Sequence, residues 1–315
     1  MDRFLCVQAF VRVAQRGSFA EAARHLGVAP SVVTTRVKKL EKHVKAPLFH
    51  RSTRNLSLSE AGKAYFEECV ELVDRFEVVM DQMRAKHDNP SGSLRLHVLP
   101  EFALGHLSCA LKDFRQAHPH VDLDITVSDA PVNPVDEGFD VSLQMFPPAA
   151  EALIERPLFP MRHFFCASPE YLEIHGEPHE PKDLLLHTLC VYSAYPAHKR
   201  WNFMHNGENI SLHLPASVRS NSLHVLRDVA RSGGGITCIP ALVCGEELVN
   251  GTLVPLLADY QLPPLDLLAI YPETLRKSVK VSLFLDFIKQ HFSGEMEWDR
   301  AFTRSTKKRA NKQTA

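Results

Sequence analysis

Residues 18–62 read SFAEAARHLGVAPSVVTTRVKKLEKHVKAPLFHRSTRNLSLSEAG, and this stretch decides the N-terminal fold. Ser18 and Glu21 have the S-x-x-E spacing of a capping box, which predicts a short helix over Phe19–His25. Gly27 comes just after that helix, where a residue free to take positive φ makes the turn. Pro30 stands where the first residue of a second helix belongs, and that helix should run to about Val44. Val33, Val37, Leu40 and Val44 share one apolar face, while Thr34, Thr35, Arg36, Lys38, Lys39 and Lys42 fall largely on the others. In the segment that follows, Phe49-His-Arg51-Ser-Thr-Arg54, two arginines are spaced to meet phosphates or a minor groove. Helix, tight turn, helix and a basic hairpin-like segment imply a reader of DNA.

The charge distribution agrees. The 315 residues carry a net charge of −1, but residues 1–62 hold eleven Lys/Arg against four Asp/Glu. Residues 63–299 hold nineteen against thirty-three, and residues 300–315 hold six basic residues and no acid. A basic head on an acidic body indicates a polyanion-binding module joined to something else. At 45% hydrophobic and 23% charged, the chain is an ordinary globular one of two or three domains. Seven cysteines without C-x-x-C spacing predict free thiols in a reducing cytoplasm. Arg3, Arg12 and Arg16 interrupt any leader-like apolar run, and no stretch approaches the ~18 apolar residues of a membrane span.

Phe4 to Gln15 is apolar at helical spacing and supplies a first helix behind the turn motif. A long helix should start at Ser59 and run to about Lys86, with Phe66, Cys69, Val73, Phe76, Met80 and Met83 forming a 3-4 seam. The seam suits a dimerising coiled coil, on the ground that no other N-terminal segment is left to bury it; the alternative is one buried face of a surface helix. Asp88-Asn-Pro-Ser-Gly-Ser93 breaks the helix as a hinge. Beyond it strands alternate with helices. Strands are expected at 94–99, 121–127, 139–145, 163–167, 188–192, 235–239 and 265–271, and helices at 102–117, 223–232 and 278–292. Such alternation implies α/β subdomains with mostly parallel sheets and ligand sites at strand C-termini. The polar, basic tail is expected to be disordered.

The residues also resemble a known family. Phe10-x-x-Val13-Ala14-x-x-Gly17-Ser18-Phe19-x-x-Ala22-Ala23-x-x-Leu26 is similar to the LysR-type transcriptional regulators, as are Ser31-x-Val33-x-x-x-Val37-x-x-Leu40-Glu41 and Leu48-Phe49-x-Arg51-x-x-Arg54 with Ala61-Gly62. Further matches are Gly92-x-Leu94-Arg95, Glu137-Gly138-Phe139-Asp140, Cys166-Ala-Ser-Pro169-x-Tyr171-Leu172 and Gly235-Ile236-x-x-x-Pro240. The resemblance implies an all-α winged helix-turn-helix over 1–58, a dimerising linker helix over 59–88 and a hinge at 89–93. A two-lobed, periplasmic-binding-protein-like α/β effector domain would follow over 94–293, ahead of the tail at 294–315. Lobe I would hold about 94–162 and 270–293, and lobe II about 163–269, with the chain crossing near Arg162–Cys166 and returning near Asp266–Tyr271. The implied partners are double-stranded promoter DNA, a small-molecule effector, further copies of the chain as dimer and tetramer, and RNA polymerase. The implied location is the cytoplasm. No cofactor, metal or membrane is implied, and no enzymatic activity.

On that resemblance Ser31, Thr34, Thr35, Arg36 and Lys38 carry the base-facing turns of the recognition helix, with Arg36 the candidate for a bidentate guanine contact. Arg51 and Arg54 would meet phosphates or the minor groove. Family members commonly carry Arg or Lys at the position of Thr35, and a thymine methyl contact would suit Thr there. The cleft would be lined from strand ends by Leu99, Pro100, Glu101, Phe102, Ser128, Gln144, Ser193, Asn221 and Ser222. Family members often place Ser or Thr where Glu101 stands and Arg where Gln144 stands. An acidic residue at the first position and a neutral one at the second predict that no carboxylate effector binds at the Glu101 helix end. Two other functions compete: an enzyme with an accessory DNA-binding head, for which no nucleophile elbow, dinucleotide fingerprint or metal motif speaks, and a DNA binder indifferent to any effector. His118-Pro-His120 reads as a loop, Gly233-Gly-Gly235 as a helix cap and turn, and Cys166, Cys190 and Cys238 as core thiols.

Overall fold

The computed structural model describes residues 2–51, 56–85, 90–150, 152–195 and 200–313. The head comprises α1 (Arg3–Arg16), α2 (Phe19–His25), α3 (Pro30–Val44) and a two-stranded wing, β1 (Phe49–Arg51) and β2 (Leu56–Leu58). The Ser18 hydroxyl accepts the Glu21 amide at 3.4 Å, Gly27 takes φ +62°, and Pro30 occupies the first turn of α3. Val33, Val37 and Leu40 pack on Phe10, Val13, Ala22 and Ala23, so the apolar stripe of α3 closes the head's core. Glu41 accepts the amides of Leu48 (3.0 Å) and Phe49 (3.4 Å), which ties the end of α3 to the start of the wing. The next helix, α4 (Glu60–Ala85), crosses so near the wing that a Cβ on Gly62 would overlap the Leu48 carbonyl.

The body follows as β3 (Gly92–Val98), α5 (Pro100–Ala103), α6 (Leu107–Ala117), β4 (Val121–Val127), α7 (Pro134–Glu137), β5 (Val141–Gln144) and β6 (Leu153–Pro160). Then come β7 (His163–Ala167), α8 (Pro169–His175), β8 (Leu189–Tyr192), β9 (Trp201–His205), β10 (Glu208–Leu212) and β11 (Val218–Ser220). The chain ends with α9 (Leu223–Arg231), β12 (Ile236–Pro240), α10 (Ala241–Asn250), β13 (Val254–Leu256), β14 (Asp266–Pro272), α11 (Val279–His291) and α12 (Glu297–Gln313). Lobe I is a five-stranded sheet in the order β4-β3-β5-β14-β6, and lobe II one in the order β11-β8-β12-β7-β13. In each, the first three strands are parallel and the remaining pairings antiparallel, so both sheets are mixed, not mostly parallel. The antiparallel strands are those next to the crossovers, where the chain changes lobe.

The structure corrects four further expectations. The chain leaves lobe I after β6, at Met161–Arg162, and returns before β14, so residues 266–269 belong to lobe I. The helix expected over 102–117 is broken, with Gly105 at φ +85° between α5 and α6. The seam of α4 does find intramolecular cover: Cys69 and Val73 are buried in the head's core, and the Phe76 ring lies 4.2 Å from that of Phe4 on α1. Its outer half remains open, with Phe76, Met80 and Met83 exposed and Leu72 and Val79 exposed beside them. The tail expected to be disordered is largely the helix α12, which packs on α10 and β13 of lobe II. Trp298, Ala301 and Phe302 carry that packing, and the Phe302 ring lies 4.5 Å from that of Phe164 with Arg162 over its face at 5.1 Å.

Candidate DNA interface and interlobe cleft

The first turns of α3 project from the head. Ser31, Thr35 and Lys38 are exposed, and Thr34 and Arg36 are half-buried at its margin. The Thr34 hydroxyl donates to the Pro30 carbonyl (3.0 Å) and that of Thr35 to the Ser31 carbonyl (2.8 Å). Both side chains are thereby locked in rotamer, each hydroxyl oxygen left as an acceptor. Arg51 lies on β1 opposite Leu56, and Arg54 falls outside the described residues.

A buried ionic joint holds this head to α4. Arg12 is 7% exposed and donates to Glu77 (2.7 Å), Gln15 (2.7 Å) and Asp74 (3.4 Å). Burial opposes the Arg12 charge, yet Glu77 and Asp74 hold its pKa above the ordinary value. Burial also acts on Glu77, but the shorter Arg12 bond wins and holds that carboxyl low. Asp74, buried and less closely paired, is pushed up to about 7. Arg16 extends the joint to the body through Asp124 of β4 (3.3 Å) and pairs with His25 (2.8 Å), whose ring burial and the two arginines push down to about 4.

The cleft between the lobes is small. A cavity of about 30 Å³ is lined by His97, Leu99, Ser128, Asp129, Gln144, Met145, Phe146, Tyr192 and Ala194, among others. Of the expected residues, Leu99, Ser128 and Gln144 line it; Pro100, Ser193, Asn221 and Ser222 do not. Phe102 is core instead, its ring 4.9 Å from Phe292 and 5.5 Å from Phe159. Glu101 is fully buried and accepts the Leu223 amide of lobe II at 3.3 Å, a direct tie between lobes. Burial first, and then the neighbouring Asp129, push its carboxyl up to about 7. His97 spans Ser142 (2.8 Å) and Ser128 (2.9 Å), and burial lowers its pKa. Gln144 spends its amide on the backbone of Val132, donating to O (2.9 Å) and accepting from N (3.3 Å).

His97, Asp129, Met145, Phe146, Tyr192 and His224 escaped sequence reasoning, although Asp129 sits just past the C-terminal end of β4, where the strand-end rule points. A wider groove of about 620 Å³ runs between the β13–β14 connection and α12, past Arg162, Asp299 and Phe302. None of the described buried polar atoms without a partner lies on it, whereas Asp129 of the cleft carries one. Among the described residues no group of three or more His, Cys, Asp or Glu could hold a metal, and no helix is long and apolar enough to cross a membrane. Cys166, Cys190 and Cys238 are buried, and burial pushes the Cys190 thiol up to about 11 and the Cys238 thiol well above its ordinary value.

A basic winged helix-turn-helix head joined by a long helix to a two-lobed α/β body defines a DNA-binding regulator with a ligand-binding domain. The LysR-family bacterial regulatory helix-turn-helix model matches residues 6–63, and the LysR substrate-binding-domain model matches residues 87–293. The chain belongs to the LysR family of transcriptional regulators, which are not enzymes. It is 30% identical over 293 residues to the HTH-type transcriptional regulator CrgA of Neisseria meningitidis, covering 91% of this chain and 96% of that one. The full-length structure of the Vibrio cholerae virulence activator AphB is similar at TM-score 0.57 and 25% identity, covering 90% of this chain and 97% of the other. A full-length OxyR variant from Pseudomonas aeruginosa shares the fold at TM-score 0.70 and 16% identity, over 92% of this chain and 95% of that one.

Proposed function

We propose that this regulator reads promoter DNA through Ser31, Thr34, Thr35, Arg36 and Lys38 of α3, with Arg51 and Arg54 meeting phosphates or the minor groove. The carrying observation is the projecting start of α3, whose threonines are locked against their own helix while Arg36 and Lys38 supply charge. Recognition helices present these turns to base edges in the major groove. The chain acts as a dimer through the open half of the α4 seam, Leu72, Phe76, Val79, Met80 and Met83, and as a tetramer when bodies pair as well. It works in the cytoplasm, its domains falling at 1–58 and 59–88, with a hinge ahead of Gly92, where β3 opens the effector domain. A small molecule between the lobes sets the placement of the heads, and RNA polymerase is the downstream contact.

The test is DNase footprinting upstream of its own gene, at low and near-physiological salt, with sedimentation to count copies. Protection over two or more helical turns that survives physiological salt supports the reading. Protection that vanishes as salt rises marks nonspecific attachment instead. A cleft of about 30 Å³ also keeps open a second reading, a binder indifferent to any effector, which ligand-insensitive footprints would favour.

A further inference from the structure

Hydrogen-bond accounting in the cleft separates its donors from its acceptors. Apart from the Tyr192 hydroxyl, the side-chain donors are already used. His97 is held between two serine hydroxyls, and the Gln144 amide is closed onto Val132. The Leu223 amide at the start of α9 is taken by Glu101 Oε1. Arg227, the cation beside His224, is bound to Asp228 (3.1 Å) and Glu247 (3.5 Å). Among the described residues no Lys or Arg lines the cavity.

Capacity is left over on the acceptor side. Glu101 Oε2, Asp129 Oδ1 and His224 Nε2 are all buried without a partner. Glu101 is 0% exposed, so its second oxygen has only the Asp129 carboxyl to meet it, and the acid pair shares a proton in place of an outside donor. Its carboxyl meets that of Asp129, which carries the pair to the cavity wall. The His224 ring engages the Pro100 carbonyl, which in a neutral ring makes the unpartnered Nε2 an acceptor. An unsatisfied buried acceptor is destabilising, and more so when charged. Three of them converge from α5, the loop after β4, and α9, across the junction between lobes.

We propose that the cleft takes a small cationic ligand, an alkylammonium or similar donor head, held by the Glu101 and Asp129 carboxyls with His224. The proposal rests on the reading of the cleft as the effector site and names the effector's charge. The cavity matches such a head, since a water-sized group needs only about 10–15 Å³. An anionic ligand would find the helix end of α9 already occupied by Glu101 and like charge at Asp129. A cation would instead supply the missing donors and tie lobe I to lobe II through the same carboxyls.

Full-length protein at pH 7.5 is titrated with ethylammonium chloride, and in parallel with sodium propionate and potassium chloride, by calorimetry and thermal unfolding. Ethylammonium should bind saturably and raise the melting temperature by roughly 2–4 °C at tenfold excess over its Kd. Propionate and potassium chloride should not. Glu101→Gln, which keeps the shape and the Leu223 acceptor, should weaken ethylammonium binding at least about tenfold, and so should Asp129→Asn. Asp129 is the less buried of the two, so its variant carries the test if Glu101→Gln does not fold. An equal response to propionate, undiminished binding in the variants, or no saturable ethylammonium response would each overturn the proposal. Footprinting in the same solutions separates the two layers: binding without altered protection leaves the cation site standing and removes ligand control of DNA binding.

Discussion

Arg12→Met would withdraw the cation that faces Glu77 and Asp74 in the joint between head and linker helix, and leave the two carboxyls facing each other. At an effective dielectric near 20, charges 2.7 Å apart attract by about 6 kcal/mol and charges 3.4 Å apart by about 5 kcal/mol. Desolvation of each ion offsets several kcal/mol of this, so the intact cluster is worth little net, whereas removal of one partner costs about 3–5 kcal/mol. The Glu77 side chain is 38% exposed, so water screens its contact and the lower end of that range is expected. Hydrogen exchange of the α1 and α4 amides is the assay, because a chain with several domains need not unfold in two states. A loss of about 3 kcal/mol appears as exchange roughly 150-fold faster. Asp74→Asn should cost far less than Glu77→Gln, since Asp74 holds the longer bond and is already close to protonation at neutral pH. Replacing all three residues with apolar ones of similar volume should bring exchange back to within about tenfold of wild type. Exchange in Arg12→Met within about fivefold of wild type would refute the reasoning, because it would show that the buried charges need no partner.

Other consequences follow from the same structure. Arg36→Ala should cost about 1–3 kcal/mol in operator binding and relax preference at one base position, while Lys38→Ala should weaken all sequences alike and lower the salt slope by about one; titrations at several salt concentrations distinguish them. The His25 and His163 rings, both depressed to about 4 chiefly by burial, should titrate by NMR near that value. Because the folded pKa lies below the unfolded value of about 6.5, the unfolded chain binds more protons in between. Stability from each ring is therefore complete above about pH 6.5 and falls toward about pH 4, by up to about 3 kcal/mol each, and His163→Gln should remove its share of that slope and leave the His25 share. Trp298→Ala should destabilise lobe II by about 3–5 kcal/mol in urea melts, whereas a disordered tail would register nothing.

The head was legible because its signals are local. Ser18, Gly27 and Pro30 each act within one turn of chain, and Val33, Val37 and Leu40 state their own periodicity. The hairpin of β9 and β10 was equally local and passed unnoticed: Asn206-Gly207, with φ of +51° and +82°, is the favoured two-residue turn. α12 was obscured by composition, since its many charges outweigh the three residues, Trp298, Ala301 and Phe302, that share one face and do the packing. The cleft was legible only at strand ends. Glu101 could be flagged as acidic, but Asp129 joins it only through the lobe I sheet, and His224, more than ninety residues beyond Asp129, only when lobe II packs against lobe I. Phe102 lost its place in the site for a comparable reason, its ring being claimed by Phe159 and Phe292.

α12 also alters how the body can move. α11 packs on α6 and β6 in lobe I, whereas α12 packs on α10 and β13 in lobe II, so the segment around Phe292–Met296 is a third passage between lobes. The first two passages lie at Met161–Arg162 and just before β14. Two connections make a hinge; a third, weighted by an indole against His106 at 4.6 Å, makes a tether. Opening wide enough to admit anything larger than a small head group then means either stretching that tether or lifting Trp298 from its seat. α12 would thus set the amplitude of the motion through which a ligand speaks to the DNA-binding head.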